Sequence, residues 1–154
     1  MRLVVTSDSH RAKRNFISII DRHKNNPDTV FVNLGDSEGE VEEMKMYYPS
    51  LRLENVIGNC DWNGSYPVYK AFKAGGKKVL ITHGHRFDVK HGYQKLQEFA
   101  KKEQADIVLF GHTHIPYIEI IDGIHYMNPG AVCSGSYGIV DIEPSGIMMY
   151  HVKI

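Results

Sequence analysis

The sequence predicts an α/β protein in which two sheets pack face to face with helices on the outside. Three observations carry that reading. Up to residue 110, short apolar runs rich in β-branched residues alternate with segments of helical spacing, as repeated strand–helix units do. Beyond His114 the helical signal stops, and short strands follow one another across turn residues in the manner of a meander. One sheet cannot bury both patterns, whereas two sheets sharing a core can.

Each element has a local reason. Arg2 to Ser7 is a β-branched run that ends in Asp8-Ser9-His10 and reads as a central strand feeding a loop. Phe16, Ile17, Ile19, Ile20 and His23 recur at helical spacing, so residues 12–24 form an amphipathic helix that ends before Asn25-Asn26-Pro27. Thr29 to Leu34 is a second apolar strand, broken by Gly35-Asp36-Ser37. Val41, Met44, Tyr47 and Tyr48 mark a short helix stopped by Pro49, with Glu40, Glu42 and Glu43 on its solvated face. Leu51 to Ile57 alternates as a strand and runs into Gly58-Asn59-Cys60-Asp61. Val68 to Lys73 and Lys77 to Thr82 flank Gly75-Gly76, a hairpin signal, and the second arm ends in His83-Gly84-His85. Tyr93, Leu96, Phe99 and Ala100 mark a helix ahead of the strand Asp106 to Phe110. The closing strands are Tyr117 to Ile121, Ile124 to Met127, Ile139 to Ile142 and Ile147 to Ile154.

Composition narrows the function. A chain of 154 residues without repeats or a linker fits a single domain, 1–154. Its 18 basic and 18 acidic residues cancel, so no long-range field draws in nucleic acid or anionic membrane, and any affinity for phosphate must be local. Cys60 and Cys133 do not make a disulfide framework, which points to a reducing compartment; both are expected to act as small buried hydrophobes. Leu3 to Val5 is too short for a signal peptide's apolar region and no run is long enough to span a bilayer. A cytoplasmic protein is therefore expected.

The chemistry gathers at strand ends. Asp8 and His10, Asp36, Asn59 and Asp61, His83 and His85, and His112 and His114 all follow apolar runs. In an α/β sheet, groups just past the carboxyl ends of parallel strands collect on one rim. A single histidine there is usually a polar tip on the core. Five loops that stop on carboxylate, carboxamide or imidazole make a set of oxygen and nitrogen donors suited to divalent ions such as manganese, iron, nickel or zinc.

The motifs Asp8-x-His10, Gly35-Asp36, Gly58-Asn59-x-Asp61, His83-Gly84-His85 and Gly111-His112-x-His114, in that order, resemble the signature of the calcineurin-like metallophosphoesterases. The chain is particularly similar to their compact prokaryotic YfcE-type phosphodiesterase subgroup, and Asn128-Pro129-Gly130-Ala131 resembles the family's following turn. The resemblance implies a four-layer αββα sandwich of two mixed sheets with flanking helices. It also implies two divalent ions, manganese first and nickel, iron, zinc or magnesium as alternatives. Asp8, His10 and His114 would hold one ion and Asn59, His83 and His112 the other, with Asp36 bridging. Catalysis would fall to Asp36, Asn59, Asp61 and His85, with a hydroxide between the ions attacking a small phosphate ester in line. Many relatives carry histidine where this chain has Cys60, so the proton for the leaving group must come from His85 or Asp61, unless Asp61 only orients a ligand. Arg11 and Arg86 are candidate phosphate contacts, Trp62 is a candidate pocket wall, and His91, His125 and His151 belong to helices or strands. The alternative reading is a protein-binding scaffold resembling the retromer subunit that shares this fold; a scaffold has no reason to keep all seven donors. A homo-oligomer is left open.

Overall fold

The computed structural model describes residues 1–62 and 65–154. Among them run β1 (Arg2–Thr6), α1 (Lys13–His23), β2 (Thr29–Asn33), α2 (Glu38–Tyr47), β3 (Leu53–Asn55), β4 (Tyr69–Ala74), β5 (Lys77–Thr82), α3 (Gln94–Lys102), β6 (Ile107–Phe110), β7 (Tyr117–Ile121), β8 (Ile124–Asn128), β9 (Ser136–Glu143) and β10 (Gly146–Lys153). They form two five-stranded sheets, in the orders β10-β9-β1-β2-β3 and β4-β5-β6-β8-β7. Both are mixed. In the first, β1, β2 and β3 are parallel and β9 and β10 antiparallel; in the second, β5, β6 and β8 are parallel and β4 and β7 antiparallel edges.

Alternation along the strands builds the layers. Leu3 and Val5 on β1 point into a core shared with Val79, Ile81, Ile107, Leu109 and Met127 of the other sheet, all fully buried. Val4, between them, faces the opposite way and meets Phe31, Phe16, Ile19 and Ile20, so α1 and α2 cover the outside of the first sheet. Leu80, Val108 and Phe110 likewise turn outward to Leu96 and Ala100 of α3. Three apolar interfaces separate four layers, the αββα sandwich. Phe16, Ile19 and Ile20 fix α1 to its sheet, at about 1.5–3 kcal/mol for each buried side chain. The β4–β5 turn needs Gly75 and Gly76 because both have positive φ, +55° and +79°.

Three readings differ from the structure, the first being β9, expected over Ile139 to Ile142, which runs Ser136–Glu143 because its ladder with β10 continues at both ends. The strand expected over Leu51 to Ile57 shrinks to Leu53–Asn55, because Ile57 leaves the ladder and donates its N–H to the carbonyl of Pro67 at 3.0 Å. His91 lies in a turn, hydrogen-bonded through Nδ1 to Asp88 Oδ1 at 2.6 Å, rather than in a helix or strand. The expectation that Cys60 and Cys133 are buried fails as well, since both thiols are exposed. Each follows a ligand-loop or turn residue, where apolar burial has no strand to act through.

Candidate metal centre

The five loops that leave β1, β2, β3, β5 and β6 all run off carboxyl ends of parallel strands. Three come from the first sheet and two from the second, so the site straddles the seam between them. Cross-sheet bonds lock the loops together: His83 Nδ1 meets the Leu34 carbonyl at 2.8 Å, and the His112 N–H donates to Asp8 Oδ2 at 3.1 Å. The Asn128-Pro129-Gly130 turn holds the last loop, with Asn128 Nδ2 donating to the Gly111 carbonyl at 2.8 Å.

Turning five strands toward one point demands unusual backbone. Asp8, His10, Asp36, His112 and His114 all have φ between +43° and +68°. Side-chain-bearing residues rarely adopt this left-handed region, and each such residue costs roughly 1–3 kcal/mol. Gly111 and Gly58 permit the approach of the loops. A Cβ on Gly111 would stand 2.0 Å from Ser7 Oγ, and one on Gly58 would stand 2.0 Å from Asp36 Oδ1.

The donors converge in two groups. In one, Asp8 Oδ1 lies 3.1 Å from His114 Nε2 and 3.7 Å from His10 Nε2, and the two imidazole nitrogens are 3.3 Å apart. In the other, His83 Nε2 lies 3.0 Å from Asn59 Oδ1 and 3.1 Å from His112 Nδ1. Asp36 Oδ2 stands between the groups, 3.8 Å from His10 Nε2 and 3.6 Å from His83 Nε2. Ligands at about 2.0–2.2 Å from a divalent ion are themselves separated by roughly 3.0–3.6 Å; five of these seven spacings fall in that range, and the two from His10 to the carboxylates, 3.7 and 3.8 Å, lie just beyond it.

The protons also argue for a cation. Asp8 is fully buried, and its Oδ1 has no hydrogen-bond partner although Oδ2 has two, Ser7 Oγ at 2.6 Å and the His112 N–H. His83 is fully buried too; donation from its Nδ1 to Leu34 leaves Nε2 with a bare lone pair in the neutral ring. That lone pair faces Asn59 Oδ1, itself an acceptor, because the Asn59 Nδ2 is turned to Cys60 Sγ at 3.2 Å. Burial and the neighbouring His83 push His112 down to about 4, so it is neutral at pH 7 and offers a further lone pair. Acceptors that face one another without protons are satisfied by a metal ion.

Asp61 and His85 stand apart from the donor groups. The Asp61 carboxylate accepts four backbone N–H groups: Asp36 and Gly58 at 2.8 Å on Oδ2, and Ser37 and Glu38 at 3.1 Å on Oδ1. It clamps the Asp36 turn to the Asn59 loop. His85 packs edgewise near His83 and His112, with ring centroids 5.4 and 6.2 Å away and a buried Nδ1 that lacks a partner. Burial, then His83 and Arg86, holds its pKa below the usual imidazole range.

An open cleft of about 680 Å³ runs from His10 along the start of α2, lined by Arg11, Glu38, Cys60 and Trp62 among others. Arg86 is not among the lining residues. Trp62 is 94% exposed at the rim, so it is a wall of the cleft and not core packing. Sequence reasoning missed Ser7 and Glu38, which carry no local signal; Asn128, singled out with Pro129-Gly130, proves to hold the last loop.

The profile described as the Calcineurin-like phosphoesterase superfamily domain matches residues 1–145, and the chain belongs to that family of phosphoesterase hydrolases. Its similarity to individual members is broad. The Probable metallophosphoesterase YsnB of Bacillus subtilis is 32% identical over 150 residues, 93% of this chain and 85% of YsnB. Phosphodiesterase MJ0936 of Methanocaldococcus jannaschii is 28% identical over 125 residues, 80% of this chain and 66% of the relative. The crystal structure of Vps29 complexed with Zn²⁺ from Entamoeba histolytica superimposes with a TM-score of 0.77 at 18% identity, covering 99% of each chain, a likeness of fold.

Proposed function

We propose that the protein is a metal-dependent phosphodiesterase with a dinuclear centre. The observation that carries this is the convergence of nitrogen and oxygen donors on two adjacent points, with Asp36 Oδ2 between them and Asp8 Oδ1 buried without a partner. Asp8, His10 and His114 would hold one divalent ion and Asn59, His83 and His112 the other, with Asp36 shared between them; manganese is the first ion to test, then nickel, iron, zinc and magnesium. When bound, such a pair acidifies a water into a hydroxide nucleophile and neutralises charge on the phosphoryl oxygens.

The chain's own residues supply position and charge. Asp61 fixes the turn of Asp36 through that residue's N–H and the loop of Asn59 through the N–H of Gly58, and Leu34 fixes the ring of His83. Arg11, exposed in the cleft beside His10, pairs with a phosphate oxygen of the ester. His85 is the proton carrier for the leaving group. Its lowered pKa makes the imidazolium a competent acid but a sparse one at pH 7, so esters with good leaving groups turn over fastest. The substrate is a small ester, because the charge balance offers no extended basic track.

The scaffold alternative has one feature in its favour, the exposed Ile118 and Ile120 on the edge strand β7. It leaves the seven converging donors without a purpose. The deciding test is hydrolysis of phosphodiesters, phosphomonoesters and cyclic nucleotides by chelated protein, before and after each metal is restored. Restored turnover in the wild type and its loss in a folded Asp36→Asn variant are expected. Turnover that survives chelation or that substitution overturns the reading.

A further inference from the structure

Cys60 has no part in the chemistry above, yet it faces the centre. We infer that its thiolate is an additional ligand of the ion held by Asp8, His10 and His114, and that it tilts that position toward zinc or cobalt over manganese and magnesium. The inference rests on the proposed metal centre. A nitrogen of His10, a carboxylate oxygen of Asp36 and Cys60 Sγ all lie within 4.8 Å of one another. Metal–sulfur and metal–nitrogen bonds are about 2.3 and 2.1 Å, so sharing one ion requires the thiol to turn inward toward His10 and Asp36.

The backbone keeps the sulfur on that side. The Cys60 N–H donates to Asp36 Oδ1 at 2.8 Å, which ties the residue to the bridging carboxylate. The sulfur accepts a hydrogen bond from Asn59 Nδ2 at 3.2 Å, and the thiol is also hydrogen-bonded to the Asp36 carboxylate, so a metal ion would take the place of the S–H proton. The proposed centre supplies the second sign of a cation on this side: Asp8 Oδ1, wholly buried and without a hydrogen-bond partner, lies 3.7 Å from His10 Nε2.

The chemistry balances simply. The metal–sulfur bond forms as the S–H bond gives its proton to solvent, and no electron changes hands. Thiolate is a soft donor, with little to offer magnesium or manganese and much to offer zinc and cobalt. The position it takes is the one that opens on the cleft, so substrate oxygen and sulfur compete for it.

The test uses the full chain stripped with a chelator and then loaded with Co²⁺. Visible bands of bound cobalt, together with a near-ultraviolet sulfur-to-cobalt charge-transfer band, are expected in the wild type and in Cys133→Ser. In Cys60→Ser the visible bands remain and the charge-transfer band is lost. Loading should slow alkylation of Cys60 by iodoacetamide about tenfold or more, while the equally exposed Cys133 reacts as before. Zinc affinity should fall about tenfold in Cys60→Ser, and manganese affinity should hold. Visible cobalt bands without charge transfer, and an unprotected Cys60, overturn the thiolate ligand and leave the metal centre standing. Absence of any cobalt bands overturns both.

Discussion

Asp61→Asn separates a clamp from a proton donor. The two oxygens of Asp61 each accept two backbone N–H groups, from Asp36 and Gly58 on one and from Ser37 and Glu38 on the other. Asparagine keeps one accepting oxygen and presents an NH₂ where the other stood, so two bonds are lost and donors confront donors. Hydrogen bonds to a charged acceptor contribute about 1.5–3 kcal/mol each, and partial exposure here trims the total to roughly 2–4 kcal/mol. With a urea slope of about 1.5–3 kcal/mol per molar, the unfolding midpoint should fall by about 1–2 M. The assay is urea unfolding of the metal-free protein, followed by a metal titration in which affinity drops roughly 10–100-fold. A midpoint within about 0.2 M of wild type, with activity alone reduced, would refute the clamp and return Asp61 to proton transfer.

Other outcomes follow from the same geometry. Gly58→Ala places a Cβ 2.0 Å from Asp36 Oδ1 and 2.4 Å from the Asp36 backbone nitrogen; a loss of about 1–3 kcal/mol in chemical denaturation and weakened metal binding are expected. His112 sits at about 4 in the folded protein against about 6.5 when unfolded. The unfolded chain therefore takes up a proton that the native state refuses, and metal-free protein loses stability as pH falls through that window, with no further loss from this group below it. Melting curves across the window should show the decline in wild type and a flatter profile in His112→Gln. In thermal melts, metal at about 100 times its Kd should add about 2.7 kcal/mol, reversed by chelator; a melting point indifferent to metal and chelator counts against the site.

Much of this could be read in the residues. Apolar runs gave the strands because burial on both faces leaves an unbroken β-branched pattern, as in Leu3-Val4-Val5 and Ile107-Val108-Leu109. The donors were legible because each follows such a run directly. What escaped was whatever depends on two loops at once. Nothing local shows that Asp61 reaches back to the amides of residues 36–38, or that Ile57 abandons its strand for Pro67. The left-handed backbone at Asp8, His10, Asp36, His112 and His114 was equally hidden, since aspartate and histidine adopt it only where surrounding contacts force it. Cys60 and Cys133 show the opposite limit: apolar character predicted burial, and position outside the strands decided otherwise.

The seam location of the donor groups has a mechanical consequence. Asp8, His10, Asp36 and Asn59 hang from one sheet and His83, His112 and His114 from the other, so a pair of ions seated there is a rivet through both halves of the sandwich. Loaded protein should come apart in one cooperative event, while stripped protein keeps only the hydrogen bonds at that end, among them those of Leu34 with His83, Asp8 with His112 and Ser7 with Val132. A shear of one sheet over the other, too small to disturb the apolar interior, would be enough to pull the rivet's sockets out of line.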